Sequence, residues 1–146
     1  MPHAIPSNNR RQLGCLQLNL HHAKAASAEL ARRFNKQNLD IALIQEPWVR
    51  DRVIEGLQDV NGKLIYANND RPRAAILISN NLTFIPISQF TTTDLVAIWT
   101  KVPTDKGEHE VIIASAYLPG DEETAPTREL VALVNYCKEN HLRWII

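Results

Sequence analysis

The sequence predicts an α/β protein with mixed sheets and flanking helices. Its length of 146 residues, with 45% hydrophobic and 22% charged residues, is typical of one soluble globular domain. Short apolar runs alternate with amphipathic stretches, as expected when strands alternate with helices. The first three such segments have the order strand, helix, strand, which favours a βαβ unit with parallel strands.

The opening of the chain divides into an arm and three elements. Residues 1–12 are interpreted as an irregular N-terminal arm, and residues 13–146 as the domain. The mostly apolar segment 13–20 predicts a strand. Residues 23–38 predict an amphipathic helix, because apolar and charged side chains recur there at helical spacing. The almost wholly apolar run at 40–46 is typical of a central strand buried on both faces.

The middle of the chain is richer in strands. Strands are predicted at 63–67, 74–79, 82–87, 95–100 and 111–117, with turn residues between them. Gly107 lies in a polar stretch between the last two, which predicts a hairpin.

The last part of the chain predicts a second helix and a further strand. The helix is expected to begin near Thr124, with Pro126 in its first turn. Residues 141–146 have the character of another buried strand. Because natural domain ends are usually polar, we interpret this end as a truncation within a strand.

Composition narrows the function classes. The 16 basic residues balance the 16 acidic ones, which argues against a polycation that coats nucleic acid but allows a local basic groove. Cys15 and Cys137 are predicted to be buried free thiols of a reducing compartment. The sequence has neither a secretory signal nor an apolar run near the roughly 20 residues that span a bilayer. We therefore expect a nuclear or cytoplasmic protein that is not secreted and does not contact a membrane.

Three polar residues follow apolar strands and are candidate site residues. Asn19, Glu46 and Tyr117 stand where predicted strands give way to loops, the places where sites collect in α/β sheets. The Glu46 carboxylate is a hard oxygen ligand suited to Mg²⁺. Tyr117 could donate a hydrogen bond to a phosphate oxygen. Each also has a structural alternative: a solvated carboxylate, a turn cap for Asn19, and an amphipathic core residue for Tyr117.

Other polar and aromatic residues are weaker candidates. Arg50 and Arg73 could bind DNA phosphates together with neighbouring arginines, or could be solvated loop charges. Trp48 could stack on a base or cover the strand end. The His21-His22 pair is not expected to bind metal, because adjacent residues of a strand point to opposite sides. Ser115 lacks the partners of an acyl-transfer triad.

Three segments together resemble a known family. Residues 16–26 (LQLNLHHAKAA), residues 40–48 (DIALIQEPW) and residues 115–119 (SAYLP) are similar to the apurinic-like endonuclease domain of non-LTR retrotransposons, within the endonuclease/exonuclease/phosphatase superfamily. The Gln-Glu-Pro sequence at the end of the second strand is the most specific element. The resemblance covers the chain from Leu13 onward.

The resemblance implies a fold and an activity. It implies the N-terminal portion of a four-layer α/β sandwich of the DNase I type, which hydrolyses phosphodiesters with Mg²⁺ or Mn²⁺. Glu46 would be a metal ligand, Asn19 would lie near metal and phosphate, and Tyr117 would contact the scissile phosphate. The substrate would be DNA, nicked by a domain of a polyprotein that also holds a reverse transcriptase.

Departures from the family leave three functions open. Some relatives carry Asp where this chain has His21, and the family's Gly-Asp-x-Asn and Ser-Asp-His segments are missing, so we expect the fragment to be inactive alone. The first hypothesis is a DNA endonuclease domain present as a piece. The second is a phosphodiesterase of the same superfamily with a non-nucleic substrate. The third is a degenerate module that binds nucleic acid or protein without catalysis.

Overall fold

The predicted βαβ opening is confirmed in a computed structural model, which describes residues 12–120 and 127–146. Strand β1 (Cys15–Asn19) leads through helix α1 (Lys24–Lys36) to β2 (Ile41–Gln45). The two strands pair in parallel. All five residues of β2 are buried, as the apolar run predicted.

The next five strands include one pair that the sequence did not predict. They are β3 (Val49–Arg50), β4 (Val53–Ile54), β5 (Gly62–Ile65), β6 (Ala74–Ser79) and β7 (Phe84–Pro86). The β3–β4 hairpin was missed because strands of two residues are too short to show periodicity. A short 3-10 helix (Ser88–Phe90) follows β7.

A long hairpin and a helix complete the described elements. β8 (Leu95–Thr104) pairs antiparallel with β9 (Gly107–Ala116), and Gly107 at the turn has a φ of 104°, which confirms the predicted hairpin. They are followed by α2 (Arg128–Glu139) and β10 (Arg143–Ile145), which runs parallel to β9.

The strands form two mixed sheets of four strands and one small hairpin. The first sheet has the order β1-β2-β6-β5, and the second has the order β10-β9-β8-β7. The two sheets pack face to face. Helix α1 covers the outer face of the first sheet and α2 covers that of the second, so the described residues form the layers of an α/β sandwich.

The alternation of side chains along the strands assigns each residue to a layer. Ile41 and Leu43 of β2 face the second sheet, whereas Ala42 and Ile44 face α1. The same alternation on β8 and β9 fills the middle layer on one side and the layer under α2 on the other. The middle layer includes Ile76, Ile78, Val96, Ile98, Val111 and Ile113.

Three details differ from the sequence predictions. Helix α2 begins after Thr127, whose hydroxyl accepts a hydrogen bond from the Leu130 amide, whereas Thr124 and Pro126 lie outside the described residues. β10 is exposed rather than buried, because it is an edge strand with its outer face uncovered. Cys137 is a buried free thiol as expected, but Cys15 is exposed because β1 is also an edge strand.

Two of the broader predictions concern membranes and domain boundaries. None of the helices within residues 12–120 and 127–146 has the length and apolar character needed to cross a bilayer. The division into an arm at 1–12 and a domain at 13–146 stays a prediction, since residues 1–11 lie outside the described part of the chain.

Candidate active site

Glu46 lies at the point where β2 ends and the chain turns away from the sheet. Its φ of 48° is in the left-handed region, which is uncommon for a residue with a side chain. Two backbone hydrogen bonds hold it there: its amide donates to the Arg73 carbonyl at 2.9 Å, and its carbonyl accepts from the His22 amide at 2.9 Å. The side chain is 20% exposed, so the carboxylate reaches solvent from a largely enclosed position.

Tyr117 lies opposite Glu46, on the second sheet. It follows β9, and its amide donates to the Asp94 carbonyl at 2.8 Å. Its phenol and the Glu46 carboxylate line the same cavity. Loss of solvent around the phenol, and then the contact with Glu46, raise the pKa of Tyr117 above its ordinary value. The phenol therefore remains a hydrogen-bond donor at neutral pH.

An ion pair between Arg73 and Asp94 lies against the Tyr117 ring. Arg73 donates to both carboxylate oxygens of Asp94, at 2.6 and 2.7 Å, in the two-pronged geometry that suits guanidinium and carboxylate. The same guanidinium lies 4.8 Å from the centre of the Tyr117 ring, a cation–π distance. Arg73 thus lies in the candidate site with its guanidinium bound to Asp94, and its binding of DNA phosphates stays a prediction. Asp94 was missed, since nothing in its local sequence sets it apart from a loop carboxylate.

These residues open onto one cavity. It has a volume of about 780 Å³, and Glu46, Tyr117, Arg73 and the exposed Arg50 all line it. A second groove of about 830 Å³ contains neither Glu46 nor Tyr117. We place the site in the first cavity, because it brings a carboxylate, a phenol and guanidinium groups together.

Comparison with solved structures identifies the architecture. The endonuclease domain of TRAS1, a telomere-specific non-LTR retrotransposon, superposes with a TM-score of 0.66 at 24% identity, covering 88% of this chain and 55% of that one. D. rerio TDP2, in complex with a single strand DNA product, gives a TM-score of 0.53 at 11% identity, covering 85% of this chain and 54% of that one.

A third solved structure has a similar architecture. The endonuclease/exonuclease/phosphatase family protein from Leptotrichia buccalis gives a TM-score of 0.52 at 14% identity, covering 86% of this chain and 63% of that one. The chain has an endonuclease/exonuclease/phosphatase-type fold. It spans about half the length of the TRAS1 and TDP2 domains. No protein-family model and no curated protein matches the sequence.

Asn19 sits beside the cavity of this endonuclease/exonuclease/phosphatase-type fold without lining it. It pairs with Gln45 in the parallel register, one residue before Glu46. Its Oδ1 accepts a hydrogen bond from the His21 amide at 2.8 Å, which is the turn-capping role considered from the sequence. The amide nitrogen is the group of Asn19 that could donate to a ligand.

The two histidines do not lie on a strand, so the prediction that they point to opposite sides is wrong. Both have left-handed backbone conformations, with φ of 50° and 56°, in the turn after β1. Each reaches one oxygen of Glu46: His21 Nδ1 lies 3.5 Å from Oε2 and His22 Nε2 lies 3.9 Å from Oε1. His22 Nδ1 also lies 2.9 Å from the Pro47 carbonyl, which orients that ring.

Two further candidates have structural roles. Trp48 packs where Gly56 leaves room for it beside Ser27, with the Lys24 ammonium 5.8 Å from its ring, and its stacking on a base stays a prediction. Ser115 is 1% exposed and joins the two sheets through hydrogen bonds.

The described residues supply some, but not all, of the ligands that a metal site needs. Within residues 12–120 and 127–146, no group of three His, Cys, Asp or Glu side chains is arranged to hold a metal ion. Glu46 can supply one carboxylate. Mg²⁺ usually keeps several waters and takes one or two protein carboxylates together with substrate phosphate oxygens. The described residues therefore fit a Mg²⁺ site in part.

Proposed function

We propose that this chain carries part of the active site of a metal-dependent DNA endonuclease of the retrotransposon type. The observation that carries the proposal is that Glu46 from the first sheet and Tyr117 from the second line one cavity together with arginine side chains. The fold supports phosphodiester hydrolysis in general, because the similar structures are named as nucleases or phosphatases. DNA is favoured because one neighbour is a retrotransposon endonuclease domain and another holds a DNA product.

Each residue has a defined task in this proposal. Glu46 would hold a Mg²⁺ or Mn²⁺ ion, which when bound supplies positive charge that stabilises a phosphate under attack. Tyr117 donates its hydroxyl proton in a hydrogen bond to a phosphate oxygen, aimed where negative charge develops. Arg73 holds the Tyr117 ring in place, while Arg50 at the rim contacts the DNA backbone without reading its sequence.

The proposal also predicts that the described residues do not form a complete active site. Because no group of three possible metal ligands is arranged within the described residues, we expect little or no activity from this chain alone. Further acidic ligands and a general base would have to come from other residues. In line with the TRAS1 likeness, we expect a reverse transcriptase in the same polyprotein. A nuclear or cytoplasmic location is proposed from the sequence alone.

A plasmid-nicking assay tests the proposal. Supercoiled plasmid is incubated with Mg²⁺ or Mn²⁺ and three proteins: this chain, a version extended by any reading frame encoded beyond Ile146, and that version with Glu46→Ala. We expect nicking by the extended version only, and a loss of roughly a thousandfold or more with Glu46→Ala. Glu108→Ala, an exposed carboxylate on β9, is the matched control and should nick normally.

Two outcomes would contradict the proposal. Nicking that survives Glu46→Ala would assign the activity to other residues. No nicking by any version, combined with retained binding to DNA, would favour a degenerate binding module instead.

A further inference from the structure

Two polar side chains interrupt the apolar layer between the two sheets. Gln45, the last residue of β2, is 8% exposed, and Ser115 of β9 is 1% exposed. Gln45 Nε2 donates to Ser115 Oγ at 3.0 Å, and Ser115 Oγ donates to the Ile44 carbonyl at 2.8 Å. These bonds connect strands of different sheets, between residues 70 and 71 positions apart in sequence. We call this pair the Gln45–Ser115 bridge.

The bridge lies where the apolar layer ends and the candidate site begins. On β2, Gln45 continues the inward-facing series of Ile41 and Leu43. On β9, Ser115 continues the inward-facing series of Val111 and Ile113. It is therefore the last inward-facing contact before both strands end.

The residues of the site follow directly from the bridge. Glu46 is the next residue after Gln45, and Tyr117 is two residues after Ser115. Apolar side chains of the middle layer hold the sheets together, but their attraction is non-directional and does not by itself set the relative position of two strand ends. A hydrogen bond between buried groups is directional, and it is stronger away from water.

We propose that Gln45 and Ser115 are positioning residues, whose buried bridge sets the distance between Glu46 on one sheet and Tyr117 on the other. The proposal rests on the proposed function only for its catalytic consequence. The geometric role is independent of any activity. Neither side chain touches the substrate cavity, so neither is a catalytic residue.

The test compares Ser115→Ala with Thr100→Val in the full chain. Thr100 is a matched control because it is fully buried, belongs to the same sheet, and donates its hydroxyl to the Thr83 carbonyl at 2.6 Å, away from the site. Both variants should lower the melting temperature, since each removes a buried hydrogen bond. Melting alone therefore does not separate a positioning role from a structural one.

Amide hydrogen exchange measured by NMR separates them. The Glu46 amide is protected by its bond to Arg73 and the Tyr117 amide by its bond to Asp94. We expect Ser115→Ala to accelerate exchange of both amides by roughly tenfold relative to the centre of β6, because local opening at the strand ends becomes easier. Thr100→Val should leave these two rates within about twofold of the wild type. Equal effects of the two variants would overturn the proposal.

A double variant controls for the loss of stability that arises when one buried polar group is left without its hydrogen-bond partner. Gln45→Met with Ser115→Ala removes both partners, which should recover part of the melting temperature while exchange at Glu46 and Tyr117 stays fast. Return of slow exchange in the double variant would overturn the proposal, because apolar packing would then position the strand ends equally well.

The catalytic consequence is tested separately. In a version that nicks DNA, Ser115→Ala should lower kcat by roughly tenfold with little change in KM, since an interaction made in the transition state is disturbed. An unchanged kcat would overturn this part. If no version nicks, the proposed function fails, and the exchange rates alone decide the positioning role.

Discussion

Glu46 combines an unfavourable backbone conformation with a well-placed side chain. A left-handed conformation at a residue other than glycine costs on the order of 1–3 kcal/mol and persists only where the surroundings enforce it. Here the hydrogen bonds to Arg73 and His22 enforce it. Because the turn stops the regular alternation of β2, the carboxylate points toward the cavity and the second sheet.

The pKa of the Tyr117 phenol can be tested by titration. Its pKa is raised first by loss of solvent and then by Glu46, so the phenol should ionise above 10 in the folded protein. Ultraviolet titration of the wild type minus Tyr117→Phe measures this value. Glu46→Gln removes the negative charge and should lower the pKa toward 10 without reaching it, because the desolvation remains. An unchanged value in Glu46→Gln would show that the two side chains are not in contact.

At the scale of elements, the β3–β4 hairpin forms one wall of the cavity and depends on a glycine. Gly56, just after β4, has a φ of 85°, and an added Cβ would lie 2.9 Å from Ser27 Cβ and 3.3 Å from the Trp48 ring. Both the conformation and the space therefore require glycine. This contact holds the hairpin against helix α1.

A series of alanine substitutions separates the two requirements. Gly56→Ala should lower the free energy of unfolding by about 2–4 kcal/mol, from strain and overpacking together. Gly107 also has a left-handed φ of 104° but has open space around it. Gly107→Ala should therefore lower the free energy of unfolding by about 1 kcal/mol. Gly120, with open space and no left-handed conformation, should tolerate alanine. Urea unfolding measures all three, and equal costs at Gly56 and Gly107 would contradict the packing argument.

On helix α1, Glu29 forms salt bridges whose contribution to stability depends on pH. Glu29 accepts hydrogen bonds from Arg32 and Arg33, which lower the pKa of its carboxyl to about 2. A lowered pKa in the folded state stabilises the protein above the ordinary value of 4.5 and loses that effect as pH falls toward 2. Glu29→Gln should thus melt slightly below the wild type at neutral pH, and the difference should shrink between pH 4.5 and about 2.

The control for this helix prediction is Glu108→Gln, an exposed carboxylate on β9. Thermal melts by circular dichroism at several pH values would follow both variants. A difference between wild type and Glu29→Gln that persists unchanged at pH 2 would show that the carboxylate charge is not its cause.

At the scale of the whole molecule, the second sheet ends in an apolar edge. β10 is paired on one side only, and Trp144 and Ile145 are 39% and 46% exposed. An edge strand with apolar side chains is a template for pairing with another chain. We therefore expect this chain to self-associate at micromolar concentrations.

A charged substitution tests this expectation. Ile145→Lys should shift the chain toward monomer in sedimentation velocity, because charge at an edge opposes strand pairing. Val131→Lys, at a 42% exposed position on helix α2, is the matched control and should leave self-association unchanged. A wild type that remains monomeric at tens of micromolar, or equal effects of both variants, would contradict the role assigned to β10.

The sequence by itself determined most of the helices and strands and the identity of the main candidates. Apolar residues alternate or run continuously over a few consecutive positions, and this local pattern predicted the strands, α1 and the hairpin at Gly107. The positions of Glu46 and Tyr117 at strand ends made them candidates for the same reason. The exposed β10 and Cys15 were misjudged, because burial depends on what covers a strand and not on its own composition.

Only the tertiary structure decided which of these residues meet. The shared cavity of Glu46 and Tyr117, the Arg73–Asp94 pair and the Gln45–Ser115 bridge bring together residues distant in sequence, the last pair by 70 positions. The left-handed turn that brings His21 and His22 to Glu46 is likewise enforced by contacts with a neighbouring strand end. Periodicity assigns each side chain to a face, but the stacking of the two sheets determines which faces oppose each other.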